Sequence, residues 1–529
     1  MIVLKTSISL AKNLKHIMRY VYLLAFLVLV SCVKVSKETK NSKSLFEKPY
    51  VALFERVLKD SVLADNLNFV DAKPKGSLES IWKDYLKGNE KNDFDLQEFI
   101  LDNFDVPSKP KSTFEVSNNS DIETYMSQFI EQSAKKIESL PNSQLFENAT
   151  TNSYEYSSSY FSMLGLVASG KISEAKNMVD NYAFLIDKHG YVPCSAKSYQ
   201  IERSGPPYFS LMVRLLSEKD TSVNIEDYLP QMEKEYSFWM KDSEKLSIME
   251  SASARVVLMP HGEIMNRYWS GVETPRPENY LFDKSIAGKS EYDSASVYRN
   301  LRAGSESSWE FSSRWLGYTK GFGTLETTSL VPIDLNCLLY HLELTIAESY
   351  QHRNDGETYE RYAVAADYRK NAILKYCWIE EEGFFIDYSF VDQYHTGVQS
   401  LSGLYPLYFD IATADQIFSI VDKLENDFLK DGGLVSTLNE TGQVWDSPNC
   451  YAGLQYIAVR GLRNYDYAGL ADDVVSRWLI MVDDVYEETR KTHRFYNADS
   501  KEVFFSKSDK NMNGDNSTNG VYLWLLHGN

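Results

Sequence analysis

Only five cysteines occur in 529 residues, and no two of them form a Cys-x-x-Cys pair. A zinc knuckle or a thiol redox pair needs that spacing, so neither chemistry is indicated. Cys194, Cys337, Cys377 and Cys450 are far apart and sit in apolar or aromatic contexts, which reads as buried free thiols. His-Glu-x-x-His, a Walker loop, Gly-x-Ser-x-Gly and a Rossmann fingerprint are also missing, so no metal or nucleotide cofactor is expected. Positive charge is in deficit: 55 Lys and Arg face 74 Asp and Glu, a net charge of −19. Such a chain repels phosphate backbones, which excludes nucleic acid as a partner, and it has no broad electrostatic hold on anionic bilayers. No exact internal repeat is present. Hydrophobic residues at 43% and charged residues at 24% describe a globular chain long enough for a large core. Tyrosine is plentiful, with 36 residues. It can stack on sugar faces or fill a helical core, and composition does not choose between the two.

The N-terminus reads as a targeting segment. Lys5, Lys12, Lys15 and Arg19 precede the apolar run Val21 to Val30, which is too short to span a bilayer comfortably. The run ends in Leu29-Val30-Ser31-Cys32, which resembles a bacterial lipoprotein box. Residues 1–31 are therefore expected to be a signal peptide and Cys32 the lipidated residue. Lys34, Lys37, Lys40 and Lys43 lie among Ser, Thr and Asn, so 32–44 reads as a flexible tether. The expected location is the bacterial cell envelope, with the membrane engaged through a lipid anchor.

Beyond the tether the pattern is helical. Ala175, Met178, Val179, Tyr182, Leu185 and Ile186 trace one helix face, and Gly190 follows as a C′ stop. Tyr362, Ala365, Ala366, Tyr368, Ala372 and Ile373 predict a second helix, and Leu454, Ile457, Ala458 and Leu462 a third. Glu382 to Tyr388 predicts a turn leading into a short extended piece. Asp509-x-Asn511-x-Asn513-Gly514 matches the first half of a calcium loop, but position twelve is Gly520 rather than Glu. A polar surface turn is the better reading there.

The segment Ser307 to Trp315 (Ser-Ser-Trp-Glu-Phe-Ser-Ser-Arg-Trp) carries the chemistry. It sets Glu310 between two tryptophans. Aromatic walls disfavour an ionised carboxyl, and a glycosidase acid must hold its proton near neutral pH. The plainer readings are an aromatic core helix or a structural carboxylate paired with Arg314. The segment resembles the trehalase family (glycoside hydrolase family 37), which typically has Ser-Gly-Trp-Asp-Phe-Ser-Ser-Arg-Trp here. The resemblance continues through Asn68–Lys75, Asn103–Pro107, Ser159–Leu166, Arg203–Pro207, Asn266–Trp269, Pro275–Glu278, Thr327–Asn336 and Gln443–Asn449. It implies an all-α fold, an (α/α)6 toroid with an N-terminal extension. Residues 45–115 are expected to be that extension, packed on the toroid, and 116–529 the trehalase-like domain.

The same resemblance implies an inverting hydrolase of trehalose or a related α-glucoside, with a disaccharide or oligosaccharide as its partner. Glu310 falls on the family's aspartate general acid. Arg203, Ser204, Gly205, Arg276, Glu278, Ser308, Trp445 and Asp446 fall on sugar-binding positions. An arginine fork and a glutamate suit paired hydroxyls, and a tryptophan can stack on a ring. Several positions depart from the pattern. The arginine of the first family signature falls on Thr150, and its Trp-Asp pair on Ser157 and Ser158. Asn-Gly-Asn-Arg becomes Cys194-Ser195-Ala196-Lys197, and Ser270 replaces an aspartate. The general base falls on Arg494, which cannot accept a proton, and a second glutamate falls on Ser508. Asp499, Glu502, Asp509 and Asp515 are the nearby carboxylates. The alternative is a catalytically inactive envelope lipoprotein that binds a saccharide or a partner.

Overall fold

A computed structural model describes residues 44–63, 67–107, 120–137, 139–145, 154–317, 321–504 and 514–527. The expectations for the signal peptide, Cys32, the tether, Thr150, Ser508 and residues 509–513 lie outside the described residues. The chain divides into two compact units, one of residues up to 66 together with 72–105, the other of 67–71 together with 106–529.

In the first unit, helix α1 (Val51–Lys59) buries Leu53, Phe54, Val57 and Leu58. Helix α2 (Leu78–Asn89) starts at Ser77, whose hydroxyl accepts from the Ser80 amide, and helix α3 (Leu96–Asn103) starts at Asp95, whose carboxylate accepts from the Gln97 and Glu98 amides. These caps satisfy amides that no helical carbonyl reaches. Strands β1 (Lys73–Pro74) and β2 (Phe104–Asp105) pair antiparallel.

The second unit is an (α/α)6 toroid. Six helical segments form its inner ring: α5 (Tyr156–Ala168), α7 (Phe209–Lys219), α11 (Ile333–His352), the short helix Tyr405–Tyr408, α14 (Ala452–Asn464) and α16 (Asn516–His527). Each touches the next, and α16 closes on α5. Between them run the outer helices α4 (Ile122–Ser133), α6 (Ile172–His189), α8 (Leu229–Trp239), α12 (Gly356–Tyr376), α13 (Ala414–Lys423) and α15 (Ala468–Thr489). Helices α9 (Tyr280–Ala287) and α10 (Ser294–Glu306) belong to the long connection between α8 and α11.

The two rings differ in the way their sequences require. Inner helices are covered on all sides: every residue from Ser158 to Val167 of α5 and from Asn516 to Leu525 of α16 is buried. Outer helices bury one stripe, as in α15 with Leu470, Ala471, Val474, Trp478, Met481, Val482, Val485 and Tyr486. Helices α5 and α16 approach backbone to backbone. A Cβ on Gly520 would lie 2.1 Å from the Phe161 carbonyl oxygen, and one on Gly165 would lie 2.7 Å from the Gly520 Cα. Gly520 is thus a helix-packing residue rather than part of an ion-binding loop.

The α6 face forms as its spacing predicts, and Gly190 ends it at φ +85° in the left-handed region. The α12 stripe differs in one place: Tyr368 is exposed and Arg369 points inward. Arg369 is tolerated there because Glu343 pairs with it at 2.8 Å and the Asn266 and Asn336 side-chain oxygens take its other donors. The turn after α12 leads into short strands at Phe384–Phe385 and Tyr388–Ser389, as expected. Cys337, Cys377 and Cys450 are buried and Cys194 is partly buried, all as free thiols.

Candidate active site

One rim of the toroid carries the residues singled out in the sequence. The connection between α8 and α11 supplies Arg276, Glu278, Ser308 and Glu310. The turn before α7 supplies Arg203, the loop before strand β3 (Asn449–Tyr451) supplies Trp445, and strand β4 (Phe495–Asn497) follows Arg494. β3 and β4 pair antiparallel with Tyr451 opposite Phe495, which ties the Trp445 loop to Arg494.

Between these elements lies a cavity of about 380 Å³, lined by Glu155, Ser157, Cys194, Ser195, Gln200, Arg203, Ser305, Ser308, Glu310, Val444, Trp445, Arg494 and Phe495. A deeper space of about 30 Å³ shares Ser157, Ser308, Trp445 and Arg494 with it and is floored by Tyr208, Asp334, Tyr405 and Tyr451. That deeper space suits about one water molecule. The outer cavity is of a size that takes a small ligand.

Glu310 opens onto the cavity and is held from behind. Its carboxylate accepts from Arg276 Nη1 and from Asn279 Nδ2 at 3.4 Å. Arg276 has no exposed surface. Its Nη2 and Nε donate to Asp283 at 2.6 and 3.0 Å, and its Nη1 also reaches Ser305 Oγ at 2.7 Å. The reading of Glu310 as a structural partner of Arg314 is therefore corrected. Arg314 lies between the Trp309 and Trp315 rings, 4.6 Å from each centroid, and its donors are taken by Asp334 and Asp387 at 2.8–3.0 Å. Sequence neighbours part here because an Arg cation on an aromatic face needs carboxylates in its own plane.

Arg203 is 1% exposed and presents its edge to the cavity, with Nη2 on Glu278 Oε1 at 2.6 Å. Gln200 Nε2 also reaches Glu278 at 3.2 Å. Burial pushes the Glu278 carboxyl up, but the Arg203 and Arg276 guanidiniums outweigh it and hold the group below the usual carboxylate range. Ser204 and Gly205 lie behind Arg203. The Ser204 amide and hydroxyl donate to Glu306 Oε1 at 3.0 and 2.8 Å. A Cβ on Gly205 would lie 2.9 Å from the Tyr156 ring. Ser308 faces the cavity with φ at +69°, in the left-handed region that glycine prefers.

Trp445 walls the cavity on one face. Its other sides are covered by Trp309, stacked at 5.0 Å, and by edge contacts from Tyr451 and Phe495 at 4.9 and 5.0 Å. Asp446 turns away from the cavity and has no exposed surface. It accepts from the Ser313 amide and hydroxyl and from the Thr437 hydroxyl at 2.9–3.0 Å, and from the Thr441 hydroxyl. Burial pushes its carboxyl up, opposed by those hydrogen bonds. The structure thus gathers Arg203, Ser308, Glu310 and Trp445 at one cavity and places Ser204, Gly205, Arg276, Glu278 and Asp446 in the layer behind.

The far wall holds a residue that sequence reasoning missed. Glu155, at the start of α5, faces Arg494 and accepts from its Nη1 at 2.7 Å. One signal was available: Glu155 is the sole charged residue between Glu147 and Lys171. Asp499 and Glu502 are exposed and line no part of the cavity. Asp515 is buried and bonds Ser517 Oγ and the Thr518 amide. Lys197 points away, to Asp71 at 2.6 Å. Among the described residues no group of three or more His, Cys, Asp or Glu is placed to hold a metal ion.

Comparison with known proteins bears on the family and the fold. The family model described as trehalase matches residues 152–528. A periplasmic trehalase of Xanthomonas campestris pv. campestris is 35% identical over 90% of this chain and 85% of its own length. One from Pseudomonas aeruginosa is 34% identical over 91% and 90%. Among solved structures, the neutral trehalase of Saccharomyces cerevisiae superposes with a TM-score of 0.58 at 24% identity, covering 73% of each chain. A GH63 mannosylglycerate hydrolase of Thermus thermophilus gives a TM-score of 0.52 at 14% identity, over 77% of this chain and 99% of the other. At those identities the two solved structures speak for the fold. The matched span and the identity to the curated relatives speak for descent: this chain belongs to the trehalase family of glycoside hydrolases.

Proposed function

We propose that the protein is an inverting glycoside hydrolase that acts on trehalose or a related α-glucoside, with Glu310 as its general acid. The observation that carries this reading is the meeting of Glu310 and Arg203 at one cavity of about 380 Å³ beside the Trp445 face. A sugar ring can lie against the indole there, the Arg203 fork can donate to its hydroxyls, and Glu310 can protonate the bridging oxygen. Inversion then needs a carboxylate that activates water on the opposite face of the ring. Ser157, Ser158 and the segment Cys194–Lys197 offer fewer polar groups to an innermost hexose than the family pattern does. They favour an altered glucoside over strict trehalose specificity.

A second reading has one specific observation behind it. Arg494 occupies the expected base position, and it would leave a silent, saccharide-binding toroid if no other group activates water. Binding and turnover measured separately across trehalose and other α-glucosides separate the two. The hydrolase reading expects glucose release that Glu310→Gln abolishes while binding persists. Binding without release by the parent supports the silent toroid and removes the hydrolase.

The site of action we infer is the bacterial cell envelope. The support is the periplasmic assignment carried by the names of the relatives and the Leu29-Val30-Ser31-Cys32 sequence. Cys32→Ser should abolish lipid labelling and normal processing, and unchanged labelling would exclude the anchor.

A further inference from the structure

We propose that Glu155, held by Arg494, is the water-activating carboxylate of this site, an assignment that rests on the hydrolase reading above. Among the described residues that line the cavity, only Glu155 and Glu310 carry carboxylates. An inverting hydrolysis needs two carboxyl groups, one to give a proton and one to take it. Glu310 is tied to the wall built around Arg276 and Asp283, whereas Glu155 belongs to a separate wall formed by α5 and Arg494. Two groups on different walls of one cavity can address different sides of a bound ring.

Three features suit Glu155 to the task. A base must be ionised, and Glu155 stands at the N-terminus of α5, where the helix dipole favours an anion, with a guanidinium 2.7 Å away. A base must also reach water, and the Glu155 side chain is 38% exposed. It must keep a fixed position, and its backbone is pinned on both sides. The Glu155 carbonyl accepts from Ser159 Oγ at 2.7 Å, and the next amide, of Tyr156, donates to the Cys194 carbonyl at 3.1 Å. Arg494 then acts as a positioning residue. The position just before strand β4, where the family resemblance puts the base, is an arginine here, and it grips a carboxylate at the start of helix α5.

In the step so assigned, Glu310 transfers its proton to the glycosidic oxygen as the bond from that oxygen to the anomeric carbon breaks. Water forms the new bond to that carbon from the opposite face, and Glu155 takes the water proton. The products are two sugars with free hydroxyls, the anomeric configuration inverted at one. A proton exchanged with solvent restores Glu310 to the acid and Glu155 to the carboxylate.

α-Glucosyl fluoride tests this directly, because fluoride leaves without needing a proton from Glu310. The parent should hydrolyse it. Glu310→Gln should keep most of that turnover while losing turnover of the disaccharide. Glu155→Gln should lose about 10²–10⁴-fold on both substrates, with melting temperature and sugar binding retained. Azide added to Glu155→Ala should yield β-glucosyl azide, since a small anion fits the vacated space and attacks the same carbon. Arg494→Gln should lower kcat on both substrates with KM little changed, and Arg494→Lys should restore part of it, because the carboxylate loses the group that holds it in place. Glu155→Gln within threefold of an active parent overturns this assignment and leaves the hydrolase reading standing. A parent inactive on both substrates overturns both.

Discussion

The two walls of the cavity are built by different physics. On one side Glu310 rests on Arg276, which is wholly buried and also pairs with wholly buried Asp283. On the other, Glu155 meets Arg494 with 38% and 18% of the two side chains exposed. The first wall is woven into the fold, so a change there leaves a charge stranded out of water. The second is a partly solvated pair whose attraction solvent can screen, although the Arg494 charge also bears on the buried Asp515 carboxyl.

Mutations should set the two walls apart. The largest effect should come from Glu310→Gln, with turnover reduced at least about 10²-fold and binding preserved, because the amide cannot donate a proton as an acid does. Turnover within a few fold of the parent would remove Glu310 from the chemistry. Next in size, Arg276→Met should destabilise the fold by about 3–5 kcal/mol, since it leaves Asp283 buried and unpaired. Arg494→Met should cost less than Arg276→Met, because its pair with Glu155 is partly solvated. Equal shifts in denaturant midpoint for the two variants would erase the distinction between the walls.

A pH-dependent effect lies beneath the second wall. Burial pushes the Glu235 carboxyl up to about 8, opposed by the hydrogen bond it accepts from Tyr156 at 3.0 Å. The folded state thus holds a proton that the unfolded state releases above its ordinary value near 4.5. The stabilisation tied to that proton is complete below about pH 4.5 and is lost progressively as pH rises toward 8. The melting temperature of the parent should therefore fall more steeply between pH 5 and 8 than that of Glu235→Gln, and parallel curves would contradict it. Smallest is Ser308→Gly. It relieves a left-handed backbone at φ +69° and should stabilise by less than about 1 kcal/mol, after the extra chain entropy of glycine is subtracted. A lower melting temperature would show that the Ser308 hydroxyl contributes more than the backbone loses.

Much of the fold was legible in the sequence. The stripe on α6 follows the period of a half-buried helix, and Gly190 stops α6 where its position suggested; α14 forms where its apolar residues predict, as an inner helix buried well beyond that one stripe. Arg369 broke the α12 stripe because a charge paired across helices is invisible to a hydrophobic period. The site was legible wherever residues close in sequence act together, as in Ser307 to Trp315. Partner choice was not, because it depends on plane and distance: Arg314 lies four residues from Glu310 yet pairs with Asp334 and Asp387. Glu155 was missed for the same reason. Its partner is 339 residues away, and no local spacing announces it. Asp446 stood beside Trp445 in every sequence argument, but successive side chains diverge, and the two serve different sides of one loop.

The function inferred for this cavity is hydrolysis of a glycoside with inversion. Proton NMR followed from the first seconds of reaction with trehalose and other α-glucosides tests it most directly, because the anomer formed by attack is visible before mutarotation. From trehalose, β-glucose and α-glucose should appear together in equal amounts, because only the attacked carbon inverts, and Glu310→Gln should abolish the formation of both. Release of α-glucose alone, with no initial β-glucose, or tight binding of these sugars with no release at all, would contradict it.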